Sequence, residues 1–260
     1  MSVESVELDW DASGSDGAPV VILGHSLGTD RSMWEPQLDV LRAAHRVVRV
    51  DLRGHGASPV PDGPYALDAM ARDVLHAANR AGVDRFAYCG VSLGGIVGLW
   101  LAAHHPERVR ALVAANTAAK IGSAEGWRDR IAAVDSLGMS RLAEAVVPRW
   151  FSPDFRVAEP ARFAHFERVV GRTSAAGYRA ACAALATADV TADLSRIVAP
   201  TLIIGGTEDM STPLVDARLL EAQIAGSKLV VLDGAGHLSN VDRPAAFNGS
   251  VAPFLDQHRA

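Results

Sequence analysis

The sequence predicts an α/β protein: a mostly parallel, doubly wound sheet flanked by helices, with a helical cap inserted into it. Two observations lead to this prediction. Short apolar runs that end at Gly, Asp or Asn alternate with helix-like segments, which is typical of strand–helix–strand units. The alternation stops after Asn116, and from about Gly122 to Asp193 the chain contains only helix-like segments.

Six apolar runs are predicted to be strands of the sheet. They show little alternation of polar and apolar residues, which indicates parallel strands covered on both faces. Right-handed crossovers would place them in one sheet. A further, antiparallel edge strand is predicted over residues 6–10. The six runs are residues 20–23, 46–50, 86–89, 111–115, 201–204 and 228–232.

Helices are predicted where capping and breaking residues bound an apolar pattern. The core helices are residues 67–81, 93–105 and 213–225. The candidate cap helices are residues 125–137, 140–147, 160–170 and 174–188. No linker-like composition flanks the cap helices. We therefore interpret residues 121–193 as an insertion into one core, which residues 1–120 and 194–260 form together.

Composition and charge exclude several classes of partner. The chain has 260 residues, 49% of them hydrophobic, and a formal net charge of −5. No basic stripe occurs, which argues against nucleic acid, and an acidic surface has no attraction for an anionic membrane. No signal peptide and no apolar run of roughly 18 residues is recognisable. Cys89 and Cys182 are far apart, so we expect free thiols in a cytoplasmic protein. The oligomeric state is left open.

The pattern Gly-x-Ser-x-Gly occurs twice, around Ser26 and around Ser92. A nucleophilic serine in this pattern needs a strand before it and a helix directly after it, so that the helix N-terminus faces the developing oxyanion. Residues 86–89 lead into Ser92, and an apolar helix follows. Ser26 also follows a strand, but a polar stretch comes next. We therefore predict Ser92 as the nucleophile and Ser26 as a loop residue that bonds locally or touches the substrate.

Two backbone N–H groups are candidates for an oxyanion hole. Where a serine occupies such a turn, one donor is the residue after the nucleophile and the other comes from a loop after an earlier strand. These positions are Leu93 and Leu27 in this sequence.

His237 is the candidate general base among nine histidines. It lies in a Gly-rich loop after the last strand, and its place agrees with the chain order serine, acid, histidine. The acid should follow an intervening strand; Asp209 follows residues 201–204 and is preferred over its neighbour Glu208. Its task is to fix the imidazole tautomer and to stabilise the imidazolium. The preceding strand ends at Asn116, which cannot supply a carboxylate.

No cofactor or metal site is predicted. The sequence contains no HExxH, CxxC or paired His–carboxylate spacing, and no GxGxxG opens a helix as a dinucleotide-binding fold requires. The chemistry therefore requires only side chains and water.

The nucleophile turn, the acid loop and the base loop together resemble the α/β-hydrolase fold over nearly the whole chain, with its helical cap after the sixth strand. A narrower resemblance is to the 3-oxoadipate enol-lactonases of the β-ketoadipate pathway. It rests on segments of both core and cap, although His25 stands where these enzymes often have Asn. The segments are SLGTD (26–30), MW (33–34), GPY (63–65), NTA (116–118), IGS (121–123), PRWF (148–151), GY (177–178) and HLSN (237–240).

This resemblance implies a reaction and a set of substrate contacts. The substrate would be a small anionic enol-lactone, whose ring ester Ser92 attacks to form an acyl-enzyme that water releases as 3-oxoadipate. The free carboxylate needs a cationic partner. Arg149 of the cap is the candidate, because arginine binds carboxylates through paired N–H groups. Trp150 and Trp127 would wall the pocket. Further cationic candidates are Arg128, Arg130 and Arg172.

Other functions on the same scaffold remain alternatives at this point. A carboxylesterase, a C–C bond hydrolase of aromatic degradation and a cofactor-free perhydrolase would use the same triad. A dehalogenase is disfavoured, because that chemistry needs a carboxylate nucleophile where Ser92 stands. A receptor that uses the pocket without turnover is the alternative from a different class of protein.

Overall fold

Seven strands form one sheet in the computed structural model, which describes residues 5–259. The strands are β1 Trp10–Ser13, β2 Val20–Gly24, β3 Arg46–Val50, β4 Phe86–Val91, β5 Val109–Ala115, β6 Thr201–Gly206 and β7 Lys228–Leu232. Their spatial order is β1-β3-β2-β4-β5-β6-β7. β1 is antiparallel to β3, and every other neighbouring pair is parallel. The predicted mostly parallel α/β fold is confirmed.

Helices connect the strands and cover the sheet. They are α1 Glu35–Leu41, α2 Leu67–Arg80, α3 Leu93–His104, α4 Ala124–Val146, α5 Pro153–Ala158, α6 Pro160–Arg172, α7 Ala175–Thr187, α8 Leu214–Gln223, α9 Ser239–Asp242 and α10 Pro244–Gln257. Short 3-10 turns occur at Arg31–Trp34, Val147–Arg149 and Thr191–Arg196. Across residues 5–259, none of the helices is long and apolar enough to cross a bilayer.

The N-terminal edge strand differs from its predicted position. The expected range was residues 6–10, whereas the strand spans Trp10–Ser13. Val6 N–H donates to the Asp73 carboxylate and Asp9 N–H donates to the Ser58 hydroxyl, while the Asp9 carbonyl oxygen accepts from Asp51 N–H just after β3. Regular pairing with β3 begins at Trp10. The helical insertion follows the fifth strand of the described chain rather than the sixth, because β5 is the last strand before α4.

The inserted helices α4 to α7 lie between β5 and β6 in the chain, and α4 packs against both α6 and α7. Gly138 interrupts α4 with a φ of 76°, which corresponds to the break predicted between two cap helices. The short helix α5 was not predicted. It begins at Pro153 after Ser152, whose hydroxyl accepts a hydrogen bond from the Phe155 N–H, a capping arrangement typical of helix starts.

The apolar sequence runs form the buried central strands of the sheet. All residues of β2, β4, β5 and β6 are buried, as is nearly every residue of α3. Strands buried on both faces and a helix that is apolar around its whole circumference form one continuous core. The loops at the carboxyl ends of these strands are thereby fixed at one edge of the sheet.

Two buried histidines lie beneath one of these loops. The rings of His25 and His55 are 5.1 Å apart, edge to face. His25 Nδ1–H donates to the carbonyl oxygen of Ser26, and its Nε2 accepts a hydrogen bond from Leu52 N–H. Burial lowers the pKa of His25, and burial together with the neighbouring His25 lowers the pKa of His55 to about 3. Both rings are therefore neutral at physiological pH.

These two histidines are expected to make the fold sensitive to acid. Because the pKa of both histidines is lower in the folded chain than the unfolded value of about 6.5, the unfolded chain binds more protons below that pH and stability decreases as the pH falls. For His55 the decrease continues towards pH 3. The upper limit is about 1.4 kcal/mol per pH unit for each histidine. Urea unfolding between pH 7.5 and 5 measures this slope, and His55→Asn should reduce it. An unchanged slope in the variant would contradict the prediction.

Candidate active site

Ser92 occupies the sharp turn between β4 and α3. Its φ of 55° and ψ of −113° are unfavourable for a residue with a side chain, and Asn116 is the other non-glycine residue with positive φ in the described part of the chain. The Ser92 N–H donates to the carbonyl oxygen of Ala115, at 3.0 Å. A strained serine between a buried strand and a helix is the geometry of a nucleophile turn.

Glycines allow this turn to pack tightly against β2. A Cβ at Gly94 would lie 2.2 Å from the carbonyl oxygen of Gly24, and one at Gly90 would lie 2.3 Å from the carbonyl oxygen of Gly94. A larger residue would therefore force backbone to move. The Gly94 N–H also donates to the carbonyl oxygen of His25, at 3.0 Å. The two Gly-x-Ser-x-Gly segments are in direct contact.

The oxyanion-hole candidates Leu27 and Leu93 lie on these two segments. Among the described residues, no hydrogen bond engages the backbone N–H of either one, whereas the N–H groups of Ser92 and Gly94 are both in use. Leu93 is the first residue of α3, where N–H groups have no partner inside the helix. Leu27 lines the same cavity as Ser92. Stabilisation of a tetrahedral oxyanion requires two such donors near the serine.

His25 holds the loop that contains Leu27. Its Nδ1–H donates to the Ser26 carbonyl oxygen, and its Nε2 accepts from Leu52 N–H on the loop after β3; each bond is 2.8 Å long. The Ser26 carbonyl also accepts from the hydroxyl of Thr29, at 2.8 Å. Histidine at position 25 therefore has a local explanation: it bridges two neighbouring loops and fixes the Ser26 carbonyl.

Asp209 and His237 form a buried pair at the carboxyl edge of the sheet. His237 Nδ1 lies 2.9 Å from Asp209 Oδ2 and 3.0 Å from Oδ1. The backbone N–H groups of Ser211 and Thr212 and the Thr212 hydroxyl also donate to this carboxylate. Burial alone would raise the pKa of Asp209, but His237 and the hydrogen-bond donors hold it well below its usual value. Asp209 is therefore ionised, and Nε2 of His237 is left for a reacting proton.

Asn116 and Ser239 complete this network, and sequence reasoning missed their part in it. Asn116 Nδ2 donates to Asp209 Oδ2 at 3.0 Å, and the Ser239 hydroxyl donates to Asn116 Oδ1 at 2.5 Å. The hydroxyl fixes which way the amide points, so that its N–H faces the carboxylate. The sequence contained one indication of this role: Asn116 directly follows β5, and Asp209 follows β6, which is the next strand in the chain.

The loop that contains His237 is attached to the cap. Asp242 accepts hydrogen bonds from the N–H of Gly236 and from both the N–H and the hydroxyl of Ser152, each at 2.8 Å. The carbonyl oxygen of Trp150 accepts from Leu238 N–H at 3.1 Å. Leu238 is therefore bonded directly to the segment between α4 and α5, and Gly236 is linked to it through Asp242.

A cavity of about 310 Å³ lies between cap and core, and both Ser92 and His237 line it. Within the described residues, no hydrogen bond joins these two side chains. Arg130 and Arg149 line the cavity, whereas no Asp or Glu among residues 5–259 does. The remaining lining residues are Ser26, Leu27, Ile121, Gly122, Ser123, Gly126, Trp127, Val146, Trp150, Tyr178, Met210 and Ser211.

Most residues selected from the sequence meet at this cavity. Ser26, Trp127, Arg149 and Trp150 line it together with the nucleophile and the base. Trp150 is buried, and the Trp127 indole N–H donates to the carbonyl oxygen of Ile121. Among the other arginine candidates, Arg130 lines the cavity, while Arg128 and Arg172 do not. The described residues contain no cluster of three or more His, Cys, Asp or Glu side chains suited to a metal ion.

The sheet, the strained serine and the buried acid–base pair define a hydrolase of the α/β class. The chain belongs to the alpha/beta hydrolase fold family, which matches residues 19–244.

Among its relatives is 3-oxoadipate enol-lactonase 2 of Acinetobacter baylyi, 39% identical over 98% of this chain and 95% of that protein. The enol-lactonase structure from Burkholderia xenovorans LB400 superposes with a TM-score of 0.94 at 40% identity, covering 96% of this chain and 97% of that one. A Variovorax paradoxus protein named provisionally as a carbamate hydrolase is 34% identical over 95% of this chain and 96% of its own length. The resemblance stated from the sequence is confirmed.

Proposed function

We propose that this protein is a 3-oxoadipate enol-lactonase, which opens the ring ester of a small anionic lactone. The observation on which the proposal rests is the cavity: Ser92 and His237 line a space of about 310 Å³ that two arginines also line, and none of the carboxylates in the described part of the chain does. Such a volume suits a small molecule, and the uncompensated positive charge favours an anion. The enol-lactonases among the relatives support the same substrate.

The proposed reaction passes through an acyl-enzyme. Ser92 Oγ attacks the lactone carbonyl while Nε2 of His237 takes its proton, and Asp209 stabilises the imidazolium that results. The N–H groups of Leu27 and Leu93 would stabilise the tetrahedral oxyanion. The ring C–O bond then breaks, and the enolate that leaves takes the proton held on Nε2 of His237, which gives the enol and, after tautomerisation, the 3-oxo group; His237 is neutral again. Water, deprotonated by His237, cleaves the acyl–serine bond and releases 3-oxoadipate.

The cap residues have proposed roles in substrate binding. Trp127 and Trp150 would wall the lactone ring, and Ser26 would touch it from the loop after β2. Arg149 is exposed at the cavity and has no ion-pair partner within the described residues, so it would attract the anion. The proposed partners are therefore only the anionic lactone and water. The proposal includes a cytoplasmic location, which the two buried, unpaired cysteines support.

The test is the loss of enol-lactone absorbance on addition of purified protein, with 4-nitrophenyl acetate and a simple carbamate assayed in parallel. We expect kcat/KM for the lactone to exceed that for either comparison compound by at least about 100-fold, because only the lactone supplies both the enolate leaving group and the carboxylate. Turnover of the aryl ester or the carbamate without turnover of the lactone would overturn the proposal.

A further inference from the structure

Arg130 is a half-buried cation that lines the cavity. Its Nη1 donates to the hydroxyl of Tyr178 at 3.2 Å, and no carboxylate of residues 5–259 lies within ion-pair distance of it. Burial raises the pKa of Tyr178 to about 12, so the phenol stays neutral at physiological pH. Tyr178 therefore positions the guanidinium of Arg130 without cancelling its charge. The other N–H donors of the guanidinium remain for a ligand.

The two other arginines of this region are placed differently. Arg149 also lines the cavity, but it is exposed and no hydrogen bond or ion pair within the described residues fixes its side chain. Arg128, two residues before Arg130 on α4, is exposed and lies outside the cavity lining. A partly buried, anchored guanidinium loses less entropy on binding and is less screened by water than an exposed one. Arg130 is consequently the stronger carboxylate site.

Tyr178 also contacts the loop that supplies one oxyanion-hole candidate. Gly28 has a φ of +78°, and a Cβ at this position would lie 2.9 Å from Cε2 of Tyr178, so the ring packs directly on the Gly28 backbone. The hydroxyl of Thr173, just before α7, donates to the Gly28 carbonyl oxygen at 2.9 Å. One tyrosine thus connects Arg130 with the residue next to Leu27.

We infer that Arg130, positioned by Tyr178, is the group that binds the free carboxylate of the substrate, and that it is the main determinant of specificity for anionic over neutral esters. The inference rests on the proposed function for the identity of the lactone. It replaces the sequence-based preference for Arg149 as the carboxylate partner, and it leaves Arg149 the role of attracting the anion at the cavity mouth.

The experiment uses two aryl esters of similar length, so that it does not depend on the lactone being the substrate. They are mono-4-nitrophenyl glutarate, which has a free carboxylate, and 4-nitrophenyl pentanoate, which is neutral. The measured quantity is the ratio of kcat/KM for the anionic ester to that for the neutral ester. Arg130→Met keeps the apolar stem of the side chain and removes the charge. Arg128→Met, on the same helix, is the matched control.

We expect Arg130→Met to lower this ratio by about 10- to 100-fold, the range that loss of a hydrogen bond to a charged group produces. Arg128→Met should leave the ratio within about 3-fold of wild type, and Arg149→Met should lower it less than Arg130→Met does. An equal loss on both esters in Arg130→Met would overturn the inference, as would a larger change of the ratio in Arg149→Met.

Tyr178→Phe tests the positioning role separately, because it keeps the ring against Gly28 and removes the hydroxyl. We expect KM for the anionic ester to rise by about 3- to 10-fold, with kcat and both constants for the neutral ester within about 2-fold of wild type. Equal changes for the two esters would contradict a role that acts through Arg130. Absence of lactone turnover in the wild type would refute the proposed function, while the ester ratios would still decide the role of Arg130.

Discussion

Replacement of Ser92 by alanine is expected to lower kcat/KM for the lactone and for activated esters by about 10⁴- to 10⁶-fold, the loss that follows when a hydrolase of this class has no nucleophile. The substitution removes only the hydroxyl. The strained turn is set by the hydrogen bond from the residue 92 N–H to Ala115 and by the close packing of Gly90 and Gly94, so the fold should be retained.

Steady-state rates with both substrates, together with the thermal unfolding midpoint, check this expectation. Ser26→Ala is the matched control, because Ser26 lies at the centre of the other Gly-x-Ser-x-Gly segment and lines the same cavity. We expect less than about a 10-fold loss there, since only a local or substrate hydrogen bond would disappear. If Ser26→Ala were the inactive variant and Ser92→Ala the active one, the assignment of the nucleophile would be wrong.

Replacement of Asp209 by asparagine is expected to lower kcat by about 10⁴-fold, because the imidazole loses the carboxylate that fixes its tautomer and stabilises its charge. The surroundings of this residue sharpen the expectation. The N–H groups of Ser211 and Thr212 and the amide of Asn116 all donate to the carboxylate. An amide group at this position would place its own N–H donors against some of them, so a decrease in stability should accompany the loss of activity.

Glu208→Gln is the control for Asp209→Asn, because it makes the same chemical change one residue earlier on the same loop. Glu208 is exposed, whereas Asp209 is buried against His237. The control should therefore retain activity within about 2-fold and unfold at the wild-type midpoint. The comparison requires kcat at neutral pH and a urea unfolding curve for each variant. A stronger effect of Glu208→Gln on kcat would reassign the acid.

The sequence was most informative where one local pattern determines the structure. The strand before Ser92 and the apolar helix after it fix the nucleophile turn without reference to distant residues. The order serine, acid, histidine along the chain then reduced the number of candidates for the acid and for the base. The buried strands followed from the apolar runs, because these runs are too short for a typical helix and each is followed by Gly, Asp or Asn.

Residues whose contribution depends on tertiary contacts were harder to predict. Asn116 could be seen at the end of a strand, but its bond to Asp209 depends on β5 and β6 being neighbours. Arg130 could not be ranked above Arg128, because only the packing of α4 against α7 places one of them beside Tyr178. The N-terminal strand begins later than expected, because the N–H groups of Val6 and Asp9 donate to the side chains of Asp73 and Ser58.

The attachment of the base loop to the cap has a consequence for protein engineering. Asp242 binds Ser152 and Gly236 at once, and the Trp150 carbonyl binds Leu238. The cap helices are therefore not an interchangeable module. A cap transplanted from another family member would alter the support of His237 unless positions 150 and 152 kept their bonds to the core. Substitutions intended to change substrate specificity should succeed when they are confined to α4 and α7. They should leave Trp150, Ser152, Gly236, Leu238 and Asp242 unchanged.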